Sequence, residues 1–198
     1  VTVGEYAAFV SETGTTPLQN IAEFSPDQMH PAIALTWSEA RLFCEWLTDY
    51  VNKGGTSTHL RFTLPTEVEW EYCARAGTLS AYSFGSDIGL LEKFAWYEAN
   101  SNFKAHPAGI LRPNQFGLFN VHGNCWEWCE DIYTLYDGTK AQPFDARAAS
   151  TREPLRTLRG GCWNLHWRYS RSACRNWHAP TNRNYYTGMR LFCEASDG

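Results

Sequence analysis

The chain has 198 residues and 43% hydrophobic content, which suits one large domain with its own core and gives no reason to expect two. Its 17 basic and 21 acidic residues leave a net charge of −4, which argues against a wholesale nucleic-acid binder. No apolar run approaches membrane-spanning length, and the opening VTVGEYAAF does not read as a targeting peptide. The 9 Trp, 10 Tyr and 11 Phe point to an irregular fold in which flat rings pack long loops. Seven cysteines cannot all pair within the chain, and small buried hydrophobes or one or two disulfides both fit them.

In chain order, three helix starts come first. Thr2 with Glu5, Thr36 with Glu39 and Thr66 with Glu69 each place a hydroxyl and a carboxylate three residues apart. At that spacing each side chain can satisfy the other residue's free backbone N–H. The first helix is predicted through Tyr6, Phe9 and Val10, stopping near Gly14. The second carries Ala40, Phe43, Cys44 and Leu47 on one face. The third presents Trp70, Cys73 and Ala74 and ends at Gly77. Alternation over Leu60–Leu64 before Pro65 predicts a short strand. From about 78 to 160 periodicity fails, and Gly, Pro, Asn and aromatics predict loops, turns and short strands. TLRGGCW and TGMRLFCE read as two strands flanking a long loop.

Two stretches could carry chemistry. In GLFNVHGNCWEWCED, Asn120, Asn124 and Glu127 could give oxygen ligands to a hard cation, completed by backbone carbonyls. A tight turn in which the same side chains bond local backbone is the reading the residues alone favour. Cys125 and Cys129 lack the second pair that a zinc site needs. His106, His166 and His178 have no nucleophile arranged beside them, and there is no phosphate-cradling glycine loop. Residues 156–190 hold seven arginines, no lysine and no acid, interleaved with Trp, Tyr, His and Asn. Arg and aromatic side chains dominate binding hot spots, so this stretch is the candidate contact surface. Some of its arginines, Arg159, Arg171 and Arg190 above all, are expected to pair with carboxylates elsewhere.

TWSEARLFCEWL through LPTEVEWEYCARAG, NQFGLFNVHGNCWEWCED, and LRGGCWN with RSACRN and GMRLF resemble, in order, the formylglycine-generating-enzyme (sulfatase-modifying factor) family. The resemblance implies an α+β, C-type-lectin-like fold: few helices, small twisted antiparallel sheets and much ordered loop, over 1–198 as a single domain. It implies calcium at Asn120, Gly123, Cys125 and Glu127, through the two side chains and the carbonyls of Gly123 and Cys125. The family usually has a further strand and loop before the first helix, which this sequence lacks or begins after. The family's enzymes oxidise through a copper-binding cysteine pair, and laying RSACRN on that block places Trp167 and Ser172 there. No copper and no catalytic residue are therefore expected.

The tail RTLRGGCWNLHWRYSRSACRNWHAPTNRNYYTGMRL is also similar to the variable region of diversity-generating retroelement proteins. Error-prone copying at template adenines turns Asn codons into many others there. The resemblance implies a non-catalytic, receptor- or adhesin-like protein with a variable binding region at about 163–187. Its contact residues would be Leu165, His166, Trp167, Tyr169, Ser170, Cys174, Trp177, His178, Ala179, Tyr185 and Tyr186. The two tryptophans require a template codon other than Asn. Arg159, Gly160, Gly161, Trp163, Arg171, Ala173, Gly188 and Arg190 match the constant frame and are expected to face inward. The partner would be a protein or other macromolecule, not nucleic acid, met at a bacterial cell surface. The alternative is a copper oxidase of the formylglycine-generating type, or another sulfatase-modifying-factor enzyme, with an altered active site.

Overall fold

Threonine and glutamate three residues apart start every long helix. In the computed structural model, which describes residues 1–53, 58–135 and 153–197, α1 (Val3–Thr13), α2 (Trp37–Asn52) and α3 (Glu67–Arg75) each open on a complete capping box. α1 ends on Gly14 at φ 70. α3 stops one residue before the expected glycine, because Ala76 itself takes the left-handed conformation at φ 47. The inward faces of the first two helices are aromatic. Tyr6 stacks on Phe43 at 6.1 Å and Phe9 meets it edge-on at 5.5 Å.

The strands are short: β1 (Thr58–Thr63), β2 (Ala95–Trp96), β3 (His122–Gly123), β4 (Trp126–Ile132), β5 (Arg156–Arg159), β6 (Arg175–His178), β7 (Thr187–Gly188) and β8 (Phe192–Asp197). β1 pairs antiparallel with β8, and β2 runs parallel to β3. The central sheet has the order β6-β5-β4-β7, antiparallel except for the parallel β4–β7 pair.

Strand alternation gives this sheet two unlike faces. Trp126, Trp128 and Leu158 point into the main core with Phe9, Phe43 and Cys44 of the first helices. Glu127, Cys129 and Arg159 point the other way, where Trp70 of α3 packs on Cys129 and donates to Glu127. The second face is therefore where charge is buried, and α3 supplies its counter-charges.

Between these elements the loops are held by side chains bonding backbone. Asn114 Nδ2 donates to the carbonyls of Cys73 and Ala74, while its Oδ1 accepts from Phe116 and Leu118. Of the loop-rich stretch expected from the sequence, residues 136–152 lie outside the described residues. β6 was not anticipated, since RNWH shows no alternation. All seven cysteines are free thiols.

Candidate functional site

The tail after β5 is tied down through its own main chain. Arg159, fully buried, donates to the carbonyl of Ser172 at 2.6 Å. Tyr82 Oη donates to the carbonyl of Trp167, Ser101 Oγ to that of Trp163, and Trp163 Nε1 to that of Tyr185. Backbone amides of Glu98 and Trp126 donate to the carbonyls of Leu165 and Tyr186. His122 Nδ1 bonds the Ser170 carbonyl at 2.9 Å. A carbonyl only accepts, so Nδ1 carries the proton and Nε2 is left to accept from the amide and hydroxyl of Ser83. Burial pushes this imidazole down to about 4, against which its bond to Ser170 acts. His122 is thus a neutral latch.

The glycines of the Arg-Gly-Gly turn complete the frame. Gly161 sits at φ 81, and a Cβ there would stand 2.7 Å from the Tyr169 carbonyl oxygen. Trp163 is buried and stacks on Phe24 at 5.2 Å.

The side chains of the tail divide into displayed and buried. Tyr169 is 43% exposed and Tyr185 38%. Leu165, His166, Trp167, Cys174, Trp177, His178 and Tyr186 are half-buried. Ser170 and Ala179, expected as contact residues, are instead buried at 1% and 8% exposure. Ser170 turns inward where its carbonyl meets His122. Ala173, expected inward, is exposed.

The contact residues also do not form one sheet face. Alternation along β6 places Cys174 and His178 on the main-core side, where Cys174, Leu165 and Tyr186 pack on one cluster and His178 lies 6.2 Å from Tyr186. Trp177 faces the opposite side with Arg175, beside Tyr133 at 6.3 Å. Trp177 is therefore separated from the rest. His166 and Trp167 are in ring contact at 4.8 Å, and Trp167 rests on the cluster around Tyr82 and Leu91.

The arginines sort by their partners. Arg159 pairs with Glu67 and Glu71, Arg175 with Glu67, Arg183 with Glu39 and Arg190 with Glu127. Arg156 lies 3.7 Å from the Trp37 ring and donates to the carbonyl of Glu130. Arg171, expected to be buried against a carboxylate, is exposed and donates only to the carbonyl of Arg168. Arg168 is exposed too, 5.6 Å from the Trp167 ring. Among the described residues neither has a carboxylate within ion-pair reach. Sequence reasoning missed this pair of surface cations. The signal available was an Arg-x-x-Arg around a tyrosine in a stretch without acids.

Asn120, Cys125 and Glu127 line a cavity of about 600 Å³ with Asn124 and Arg190. Gly123 lies against β2, where a Cβ would stand 2.1 Å from the Trp96 carbonyl oxygen. Asn120 is left-handed at φ 56, and its Oδ1 is buried with no hydrogen-bond partner among the described residues. Glu127 is heavily used: Arg190 binds both oxygens at 2.8 and 2.9 Å, and Trp70 Nε1 donates to Oε2 at 2.6 Å. A carboxylate has about four acceptor sites, so one remains on Oε1. An orphaned amide oxygen and a spare carboxylate lone pair suit a hard cation, while the Arg190 charge opposes it.

The two positions set against the family's cysteine pair are Trp167, half-buried on the Tyr82 cluster, and Ser172. Ser172 is fully buried, with its amide donating to Ala81 and its carbonyl accepting from Arg159. Two thiols that sequence spacing does not pair, Cys162 and Cys174, do pack against the same core. Burial pushes Cys162 up to about 12 and Cys174 upward as well.

Residues 1–195 match the Sulfatase-modifying factor enzyme 1-like domain. The Formylglycine-generating enzyme of Streptomyces coelicolor is 29% identical over 181 residues, covering 84% of this chain and 53% of that protein. The chain thus spans about half the length of that enzyme. Among solved structures, Treponema denticola variable protein 1 superposes with a TM-score of 0.76 at 25% identity, covering 100% of this chain and 82% of its own. PvdO from Pseudomonas aeruginosa gives 0.78 at 27% identity, covering 98% and 77%. These neighbours and the few helices, small sheets and long ordered loops make the fold α+β and C-type-lectin-like, of the formylglycine-generating-enzyme type.

Proposed function

The chain belongs to the sulfatase-modifying factor family, and from that premise we propose that it is a non-catalytic ligand-binding member whose tail is diversified by a retroelement. The observation that carries this reading is the way the tail is held. Its fixed bonds run through the backbone of Leu165, Trp167, Ser170, Ser172, Tyr185 and Tyr186. Side chains can then change without loosening the loop. The likeness to a variable protein of Treponema denticola supports the same reading.

The test is a multiple variant with Leu165, His166, Tyr169, Cys174, His178, Tyr185 and Tyr186 exchanged for Asn, Ser or His. Exposed positions should each move stability by a few tenths of a kcal/mol, and the half-buried ones by about 1 kcal/mol. Binding to a panel of displayed ligands should be redirected. Unfolding of the combined variant would make the tail a core element and end the proposal. A reverse-transcriptase gene beside an adenine-differing copy of the tail is the genomic counterpart.

The alternative is a copper oxidase of the formylglycine-generating type, favoured by the Streptomyces relative. Against it stand Trp167 and Ser172, and a buried and a half-buried thiol, Cys162 and Cys174, whose titration burial pushes upward. Incubation with copper and a sulfatase-motif peptide should give no aldehyde by mass spectrometry. Turnover would restore the enzyme.

We also propose calcium at Asn120 and Glu127, with the carbonyls of Gly123 and Cys125. Chelation should then lower the melting temperature, because a ligand bound only by the folded state stabilises it. Asn120→Ala should remove that chelator sensitivity. Identical melts with and without chelator would leave the segment as a turn.

A further inference from the structure

Five of the seven tail arginines are committed to the scaffold, while Arg168 and Arg171 are exposed with no carboxylate in ion-pair reach among the described residues. The bond from Arg171 Nε to the Arg168 carbonyl, 2.9 Å, holds the two on one 3-10 turn, with Tyr169 exposed between them. His166 and Trp167 stand beside them. Resting on the reading of this tail as a binding surface, we propose that its ligand is an acidic protein surface, with carboxylates seated on Arg168 and Arg171 and flat contacts on Tyr169, His166 and Trp167.

Guanidinium forks match carboxylate geometry, and two adjacent ones select a local cluster of negative charge. A long polyanion is disfavoured by what surrounds the turn. Seven arginines against a whole-chain net of −4 leave the rest of the chain at −11. Glu98, exposed, donates its amide to the carbonyl of Leu165 just before the turn, and the charges of Glu92 and Glu98, both exposed, reach Tyr97, which packs on the same cluster as Trp167. A sulfated glycan or nucleic acid running past Arg168 would meet those carboxylates. A protein loop with one or two acids need not.

The experiment titrates the protein with a short labelled Glu-Gly peptide, its Gln-Gly counterpart and a heparin oligosaccharide. The Glu peptide should bind at least about tenfold more tightly than the Gln peptide, the size expected of a charge-assisted bond. Salt should weaken that preference. The Arg168→Ala, Arg171→Ala double variant should lose it with an unchanged melting temperature. No preference, a preference surviving in the double variant, or tighter arginine-dependent binding of heparin would overturn the assignment. Such a result leaves the binding-surface reading standing if tail variants still exchange ligands. Unfolding of the multiple tail variant strikes that reading alone.

Discussion

Arg159 and Arg171 are twelve residues apart in one arginine-rich tail, yet they live in opposite environments. Arg159 is fully buried on the α3 side of the sheet, between Glu67 and Glu71 and 5.2 Å from the Trp70 ring. Arg171 stands in solvent with a single bond to a neighbouring carbonyl. Residue type decides neither fate. What differs is whether a helix from a distant part of the chain brings carboxylates to the spot.

The comparison breaks most sharply under alanine substitution. Arg159→Ala removes the donor to Ser172 and strips a buried charge from Glu67 and Glu71, at a cost of about 3–5 kcal/mol. Arg171→Ala should move stability by only a few tenths of a kcal/mol. Chemical denaturation of the two variants measures both. Equal losses would mean that Arg171 is part of the frame after all.

A second contrast comes from pH. His122 titrates near 4 in the folded chain because it is buried, against 6.5 for a free imidazole. As pH falls, the unfolded chain takes up the proton first. The stability present above about pH 6.5 is therefore lost progressively down to about pH 4, by about 3 kcal/mol from this group. His122→Gln should flatten that part of the stability curve relative to the parent.

Gly161 joins the two regions. An added Cβ would meet the Tyr169 carbonyl at 2.7 Å, at a backbone φ of 81 that L side chains rarely adopt. Gly161→Ala should cost about 1–3 kcal/mol and displace the Arg168–Arg171 turn. Loss of the Glu-peptide preference should accompany the loss of stability. A variant that melts lower yet binds unchanged would show that the turn is positioned by other contacts.

The helices were legible because a capping box is local: Thr36 and Glu39 carry the whole instruction within one turn. β6 was not. Its RNWH becomes a strand only by pairing with β5, a tertiary cause that single-sequence patterns do not contain. The site was legible in composition and blurred in detail. Tyr169 and Tyr185 are displayed as expected, while Ser170 and Ala179 turn inward because His122 and the β6 exit set the backbone direction. A carboxylate partner for Arg159 was expected, but neither the helix nor the acids, since Glu67 lies 92 residues away.

Main-chain anchoring sets one substitution apart from the rest at several tail positions. Proline lacks the N–H that Trp163, Leu165, Ser172 and Cys174 each donate to a carbonyl. Under the proposed diversification, changing both adenines of an Asn codon to cytosine writes that forbidden letter. At those four positions it would abolish the shape on which all other letters are read. A proline scan of the tail would thus print its attachment points as a pattern of silent and lethal positions, a map drawn by the backbone alone.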